Sequence, residues 1–195
     1  MALVTGCSSN GQAKESTKAV GSLQETYERL GKGKVEVDRT VAAMDQLVKG
    51  TDLKSSFKSF SDSVAALKSA GEAVTKQSAE MRDKRDEYLA TWEKEVEGIK
   101  NQDIKESAEQ RRVRIKASYD SIASAAGDVR AAYPPYLQDL QDIQKALSLD
   151  LTPAGVAGVT PVINKARAEG QALSRKIEAL NAQIDTLRGK MSPKG

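Results

Sequence analysis

Residues 163–191, INKARAEGQALSRKIEALNAQIDTLRGKM, decide the fold. Within them Ile163, Ala166, Gly170, Leu173, Ile177, Leu180, Ile184, Leu187 and Met191 follow one another in alternating steps of three and four, without a break. On an α-helix such steps return to one face, and their regularity is that of the a/d seam of a coiled coil. A seam of this kind needs a partner, because one helix cannot bury its own stripe.

The same spacing recurs upstream. Leu53, Phe57, Phe60, Val64, Leu67, Gly71, Val74, Ser78, Met81, Arg85, Tyr88 and Trp92 form a second seam, with Ile99 in phase beyond it. This seam loosens at Ser78 and Arg85, so the core there is expected to be thin or wet, or completed by a second copy of the chain. Val20, Leu23, Tyr27, Leu30, Lys34, Val37, Val41, Met44 and Val48 form an earlier one, weakened by Gly31 and Gly33; each glycine costs a helix interior about 1 kcal/mol relative to alanine. The remaining seam runs from Ile104 through Ile115, Tyr119, Ile122, Tyr136, Leu140 and Ile143 to Leu147. Pro134 and Pro135 remove helical hydrogen bonds there but keep the register, which predicts a kink and no domain boundary.

The junctions divide the chain at the same places. Gly50-Thr51-Asp52 reads as a helix stop followed by a cap, and Asp103 with Glu106 has capping-box spacing. Thr152-Pro153 and Thr160-Pro161 each place Thr as N-cap before a Pro at the first helical position, with residues 154–158 expected as an irregular turn between them. The expected fold is all-α: an elongated antiparallel four-helix bundle, or coiled coil, in up-down-up-down order. The second and third helices, about 70 Å long at 1.5 Å per residue, should outreach the others. The central hairpin of residues 90–118 then projects as a two-stranded coil, at the same end as the N-terminus. Residues 16–191 form the single helical-bundle domain, residues 1–15 a lipobox remnant and flexible tether, and residues 192–195 a disordered tail.

Composition narrows the function. The 30 basic and 27 acidic residues leave a net charge of +3, too balanced to suggest a nucleic-acid binder. No histidine occurs, which removes the commonest general base and transition-metal ligand. The one cysteine, Cys7, allows neither an internal disulfide nor a thiolate zinc site. No metal, cofactor or small-molecule substrate is expected, and no stretch approaches the roughly 20 apolar residues of a transmembrane helix.

Cys7 carries the clearest localisation signal. Val4-Thr5-Gly6-Cys7 resembles the lipobox of bacterial lipoproteins: an aliphatic residue, two small residues and the thiol that is acylated, followed by polar Ser8-Ser9-Asn10. Only six residues precede Cys7, so the basic and apolar parts of a signal peptide are expected upstream of Met1. The anchor would place the protein in the periplasm, and Ser8 in place of Asp, by analogy with enteric lipoproteins, favours the outer membrane.

Candidate sites elsewhere are few. Arg111, Arg112, Arg114 and Lys116 form the densest basic run, a possible contact for anionic headgroups or a polyanionic wall polymer. The competing reading pairs them with Glu93, Glu95 and Glu97 on the neighbouring helix. Carboxylate pairs such as Glu95 and Glu97 sit among lysines and arginines, where an exposed ion-paired face is the simpler account. In Tyr133-Pro134-Pro135-Tyr136 both tyrosines fall on the apolar seam, so a packed segment is expected and not an extended polyproline ligand. No Walker-type phosphate loop or nucleophile with a base partner is present, so an enzyme is not expected.

Three stretches carry a resemblance to a known family: Gly33-Lys34-Val35-Glu36-Val37-Asp38-Arg39, the run from Arg82 to Glu95 containing Tyr88-Leu89-Ala90-Thr91-Trp92-Glu93, and the proline beside Tyr136. With the helix pattern, they make the chain from about Tyr27 to Met191 resemble domain-of-unknown-function family 2959, bacterial coiled-coil lipoprotein-like proteins. The resemblance implies a place and a shape but no catalytic residues. The function expected is a non-enzymatic, lipid-anchored scaffold or partner-binding module in the envelope, binding an unknown envelope protein or itself. The alternative is a soluble cytoplasmic coiled-coil adaptor with an unmodified Cys7.

Overall fold

The computed structural model describes residues 9–192, and these form four helices and no strand. They are α1 (Ser9–Lys49), α2 (Leu53–Glu97), α3 (Gln102–Leu149) and α4 (Pro153–Met191). Each packs on its chain neighbours, and α4 closes the ring on α1. Cross-helix contacts run in opposite directions along each pair. Arg167 meets Asp45 near one end of the α1–α4 pair and Arg188 lies over the Tyr27 ring near the other. The architecture is the all-α antiparallel bundle that the seams require.

Short polar caps end the helices. The Asp52 carboxylate accepts from Ser55 N–H at 3.1 Å, and the Thr152 hydroxyl accepts from Gly155 N–H at 3.1 Å with Pro153 just inside the helix. Each supplies a partner to an N–H that the helix leaves free. At α3 the cap is Asn101, whose side-chain oxygen accepts from Ile104 N–H at 3.1 Å. Asp103 lies two positions further in, within the first turn, where its charge complements the helix dipole, so the expected Asp103 and Glu106 box is not used.

Every seam position of α4 from Ile163 to Met191 is buried. On α1 the register is shifted. Leu23, Leu30, Val37 and Met44 are buried as expected, but the alternate positions filling the core are Thr26, Thr40 and Leu47, while Tyr27 and Val48 are exposed. The small side chains turn inward because α1 is held closely against α2 and α4 together. Their hydroxyls remain satisfied, Thr26 donating to the Ser22 carbonyl at 2.8 Å and Thr40 to the Glu36 carbonyl at 2.7 Å.

Three further expectations are corrected. Residues 9–15, expected within a flexible tether, are the opening turns of α1; Gly11 lies beside Glu95 of α2, and Ala19 is fully buried a turn later. Residues 154–158 are helical, and Pro161 lies inside α4. The Ala157 carbonyl thereby loses its helical donor, but Thr160 stays in the ladder and donates its hydroxyl to the Val156 carbonyl at 2.8 Å. Ser192 is the C-cap of α4, its N–H bonded to the Arg188 carbonyl at 2.9 Å; the rest of the expected tail, 193–195, lies outside the described residues.

α3 is continuous through Pro134 and Pro135, with two glycines on other helices receiving the flanking tyrosines. The Tyr133 ring fills the space beside Gly71 and donates to the Leu67 carbonyl at 3.2 Å. Tyr136 is fully buried against Gly170, where a Cβ would stand 2.8 Å from the tyrosine oxygen and 2.7 Å from Val41 Cγ2. The absence of a Cβ on each glycine lets the ring reach the neighbouring backbone. Gly170→Ala is expected to cost about 1–3 kcal/mol through overpacking, read from urea unfolding midpoints. Adding Tyr136→Phe should recover part of that loss, because the Tyr136 hydroxyl has no hydrogen-bond partner among the described residues. An equal loss with and without the hydroxyl would remove Tyr136 as the obstacle.

Burial also shifts the tyrosines' ionisation. Desolvation pushes Tyr88 up from 10.0 to about 12, and it raises Tyr119, Tyr133 and Tyr136 as well. A phenol with a raised folded pKa contributes stability that is full below the unfolded value and is lost as pH rises through the folded one. The bundle should therefore weaken progressively above pH 10. Its phenolate absorbance should lag behind that of the urea-unfolded chain over the same range.

Candidate functional site

The two ends of the bundle differ. At one, the turns after Lys49 and Leu149 join α1 to α2 and α3 to α4. At the other, α4 stops beside α3, where the Tyr119 hydroxyl meets Met191 Sδ at 3.6 Å and the Arg111 guanidinium donates to the Lys190 carbonyl at 3.1 Å. The α2–α3 hairpin continues past that point, as expected. It is joined there by the first turns of α1, so the projection is three-stranded rather than two-stranded. α1 and α4 are nearly equal in length, 41 and 39 residues, but their register is offset: Arg188 near the end of α4 lies over Tyr27, so the turns of α1 before Tyr27 continue past Met191 toward the hairpin tip. Tyr88 and the half-buried Trp92 stack edge to face in this region, with centroids 5.4 Å apart.

The basic run lies where α4 ends. Arg112 is engaged by Glu109 through Nε at 3.0 Å and reaches Glu93 of α2 at 3.7 Å. Lys116 pairs with Asp120 at 2.8 Å, and Arg111 is spent on the α4 carbonyl. Neither Arg111 nor Arg114 has an ion pair among the described residues. Glu93 is thus a partner as the competing reading has it, while Glu95 and Glu97 are not. The shallow groove between the hairpin legs carries Glu93, Glu97, Glu106 and Glu109 against Lys105, Arg112 and Arg114, so neither sign dominates it.

A second feature lies at mid-height, between α2 and α3, which meet less closely than the other neighbouring pairs. A cavity of about 420 Å³ opens there and receives side chains from all four helices. Leu67 and Val74 of α2, Val129 of α3 and Ile177 of α4 make its wall apolar, and Arg82 and Arg130 stand at its border. Its cause is a coincidence of small residues. Gly33, Gly71, Ser78 and Ala126 line the same stretch of the bundle, about two helical turns long, and Tyr133 is drawn aside into its notch at Gly71. The loosening at Ser78 signalled this locally, whereas the arginine pair had no sequence signal. Arg82 and Arg130 lie 48 positions apart, and only the helix pairing brings them together.

Cys7 lies outside the described residues. Among those described, no group of three or more Cys, Asp or Glu could hold a metal, and no helix is long and apolar enough to cross a membrane.

The Arg111 contact fastens the last turn of α4, whose final carbonyls otherwise lack donors. Arg111→Ala is expected to cost about 0.5–1.5 kcal/mol and to raise amide hydrogen exchange selectively over residues 187–192. Uniform exchange along α4 in the variant would show that the contact does not hold the helix end.

Comparison with known proteins places this arrangement in a family. No curated protein and no solved structure matches the chain. The family described as "Protein of unknown function (DUF2959)" matches residues 11–188, from the second residue pair of α1 almost to the end of α4. A match over so much of the four-helix region means that the chain belongs to the DUF2959 family.

Proposed function

We propose that the chain is a non-enzymatic, lipid-anchored protein of the bacterial envelope, in which Cys7 bears the acyl anchor and the bundle offers an elongated surface to a periplasmic partner. The observation that carries this reading is the distance between anchor and bundle. Val4-Thr5-Gly6-Cys7 ends one residue before α1 begins at Ser9. An acylated Cys7 would join a rigid rod almost directly, without a long tether.

Geometry favours a standing orientation. The first turns of α1 lie beside the α2–α3 hairpin, so an anchor at Cys7 would bring the tapered end toward the bilayer and the opposite end outward. At 1.5 Å per residue the 45 residues of α2 span about 68 Å, enough to hold a partner well away from the membrane surface. The long faces are rich in intrahelical ion pairs such as Lys58–Asp62 and Lys116–Asp120. Such pairs stabilise helices modestly and keep the surface soluble.

Mass spectrometry of the N-terminal peptide, from protein made with its native upstream sequence, tests the proposal. The expected species begins at Cys7, with a diacylglyceryl group on sulfur and an acyl group on its amine. A free thiol preceded by intact Gly6 would reject the anchor and leave the soluble adaptor as the reading. Cys7→Ser should release the protein from the membrane fraction without altering its thermal midpoint.

A further inference from the structure

The cavity between α2 and α3 has the form of a ligand site, independently of any anchor at Cys7. We propose that it binds one long-chain fatty acid, the acyl chain lying between Leu67, Val74, Val129 and Ile177 and the carboxylate meeting Arg82 and Arg130.

Its volume comes first. Ligand pockets usually enclose about 300–1,000 Å³, and about 420 Å³ lies near the lower end, suited to one chain rather than two. Native cores are close-packed, and a void forfeits the contacts its lining atoms would otherwise make. Here the void interrupts otherwise continuous seams, and an alkyl chain would restore those contacts. A partner helix, about 10 Å across, is too thick for the chamber. The chain's own anchor is too distant, since Gly33 lies about 36 Å along α1 from Ser9.

Charge selects the head group. Arg82 and Arg130 border both this cavity and a smaller adjoining one of about 200 Å³. Helical side chains lean toward the N-terminus of their own helix. On antiparallel α2 and α3, Arg82 therefore leans toward Ser78 and Arg130 toward Ala126, and the two converge on the mouth. Neither has an ion pair among the described residues, and no carboxylate lines either cavity. Arg85, the third arginine nearby, is already bound to Asp86 at 2.8 Å. A guanidinium pair matches a carboxylate through paired hydrogen bonds, and the limited adjoining volume favours that small head over a glycerophosphate.

Titration of the delipidated full chain with monomeric palmitate, read by displacement of a fluorescent fatty acid, tests the assignment. Saturable binding at one palmitate per chain is expected. Arg82→Ala and Arg130→Ala, both at exposed positions that should leave folding intact, are each expected to weaken binding about tenfold or more. Ala126→Phe should plug the junction of the two cavities and abolish binding, with helix content unchanged. Absence of saturable binding, or binding indifferent to all three substitutions, would overturn the proposal. Hexadecanol binding as tightly as palmitate would overturn the role of the arginines, and tighter binding of lysophosphatidylglycerol would overturn the carboxylate. A dimer in solution that Ala126→Phe dissociates would assign the opening to a second copy instead.

Discussion

Ile163, Ile184 and Leu187 of α4 are fully buried, and the seam they belong to is the interaction on which the rest of the bundle depends. It packs against both α1 and α3, and so links the two halves of the molecule. Each large aliphatic side chain buried there contributes about 1.5–3 kcal/mol. α2 and α3 meet loosely, and they stay together because α1 and α4 hold them from the other side. That asymmetry gives the bundle a closed flank and an open one.

The closed flank is polar as well as apolar. Lys34 of α1 bridges Asp38 and Glu178, and Asp38 accepts from the Ser174 hydroxyl at 2.7 Å. Further along, Arg167 reaches Asp45 at 2.6 Å. Exposed ion pairs add little stability individually, but their opposed order along α1 and α4 specifies the antiparallel register. Among the described residues the open flank is crossed by the single ion pair Arg112–Glu93, at 3.7 Å. Its best-defined contact is the Tyr133 notch at Gly71; the cavity opens beside it, toward Ser78 and Ala126.

Pro134 and Pro135 belong to the same economy of space. Without their N–H groups the carbonyls of Arg130 and Ala131 lose their helical donors, yet both tyrosines remain on the inward face. Arg130 lies at the cavity border one turn before the prolines. The position of α3 that is least able to pack as a regular helix is therefore also the position beside the opening.

Much of the bundle was legible in the chain. Four periodic runs, Asp52 and Thr152 as caps and the length of the central hairpin gave helix number, order and end, because periodicity and capping are local properties of a helix. The structure alone decided that Thr26 and Thr40 turn inward while Tyr27 and Val48 stay exposed, since that choice depends on how near two neighbouring helices approach. It also decided that α1 begins at Ser9 and that Pro161 lies within α4, where packing on neighbours outweighs the polar or helix-breaking character of a few residues. The small residues at Gly33, Gly71, Ser78 and Ala126 could be read singly, but a cavity is a sum over the side chains that four helices bring together. Arg82 and Arg130 became a pair for the same reason: the sequence determined the faces of the helices, and only their tertiary pairing determined what met across them.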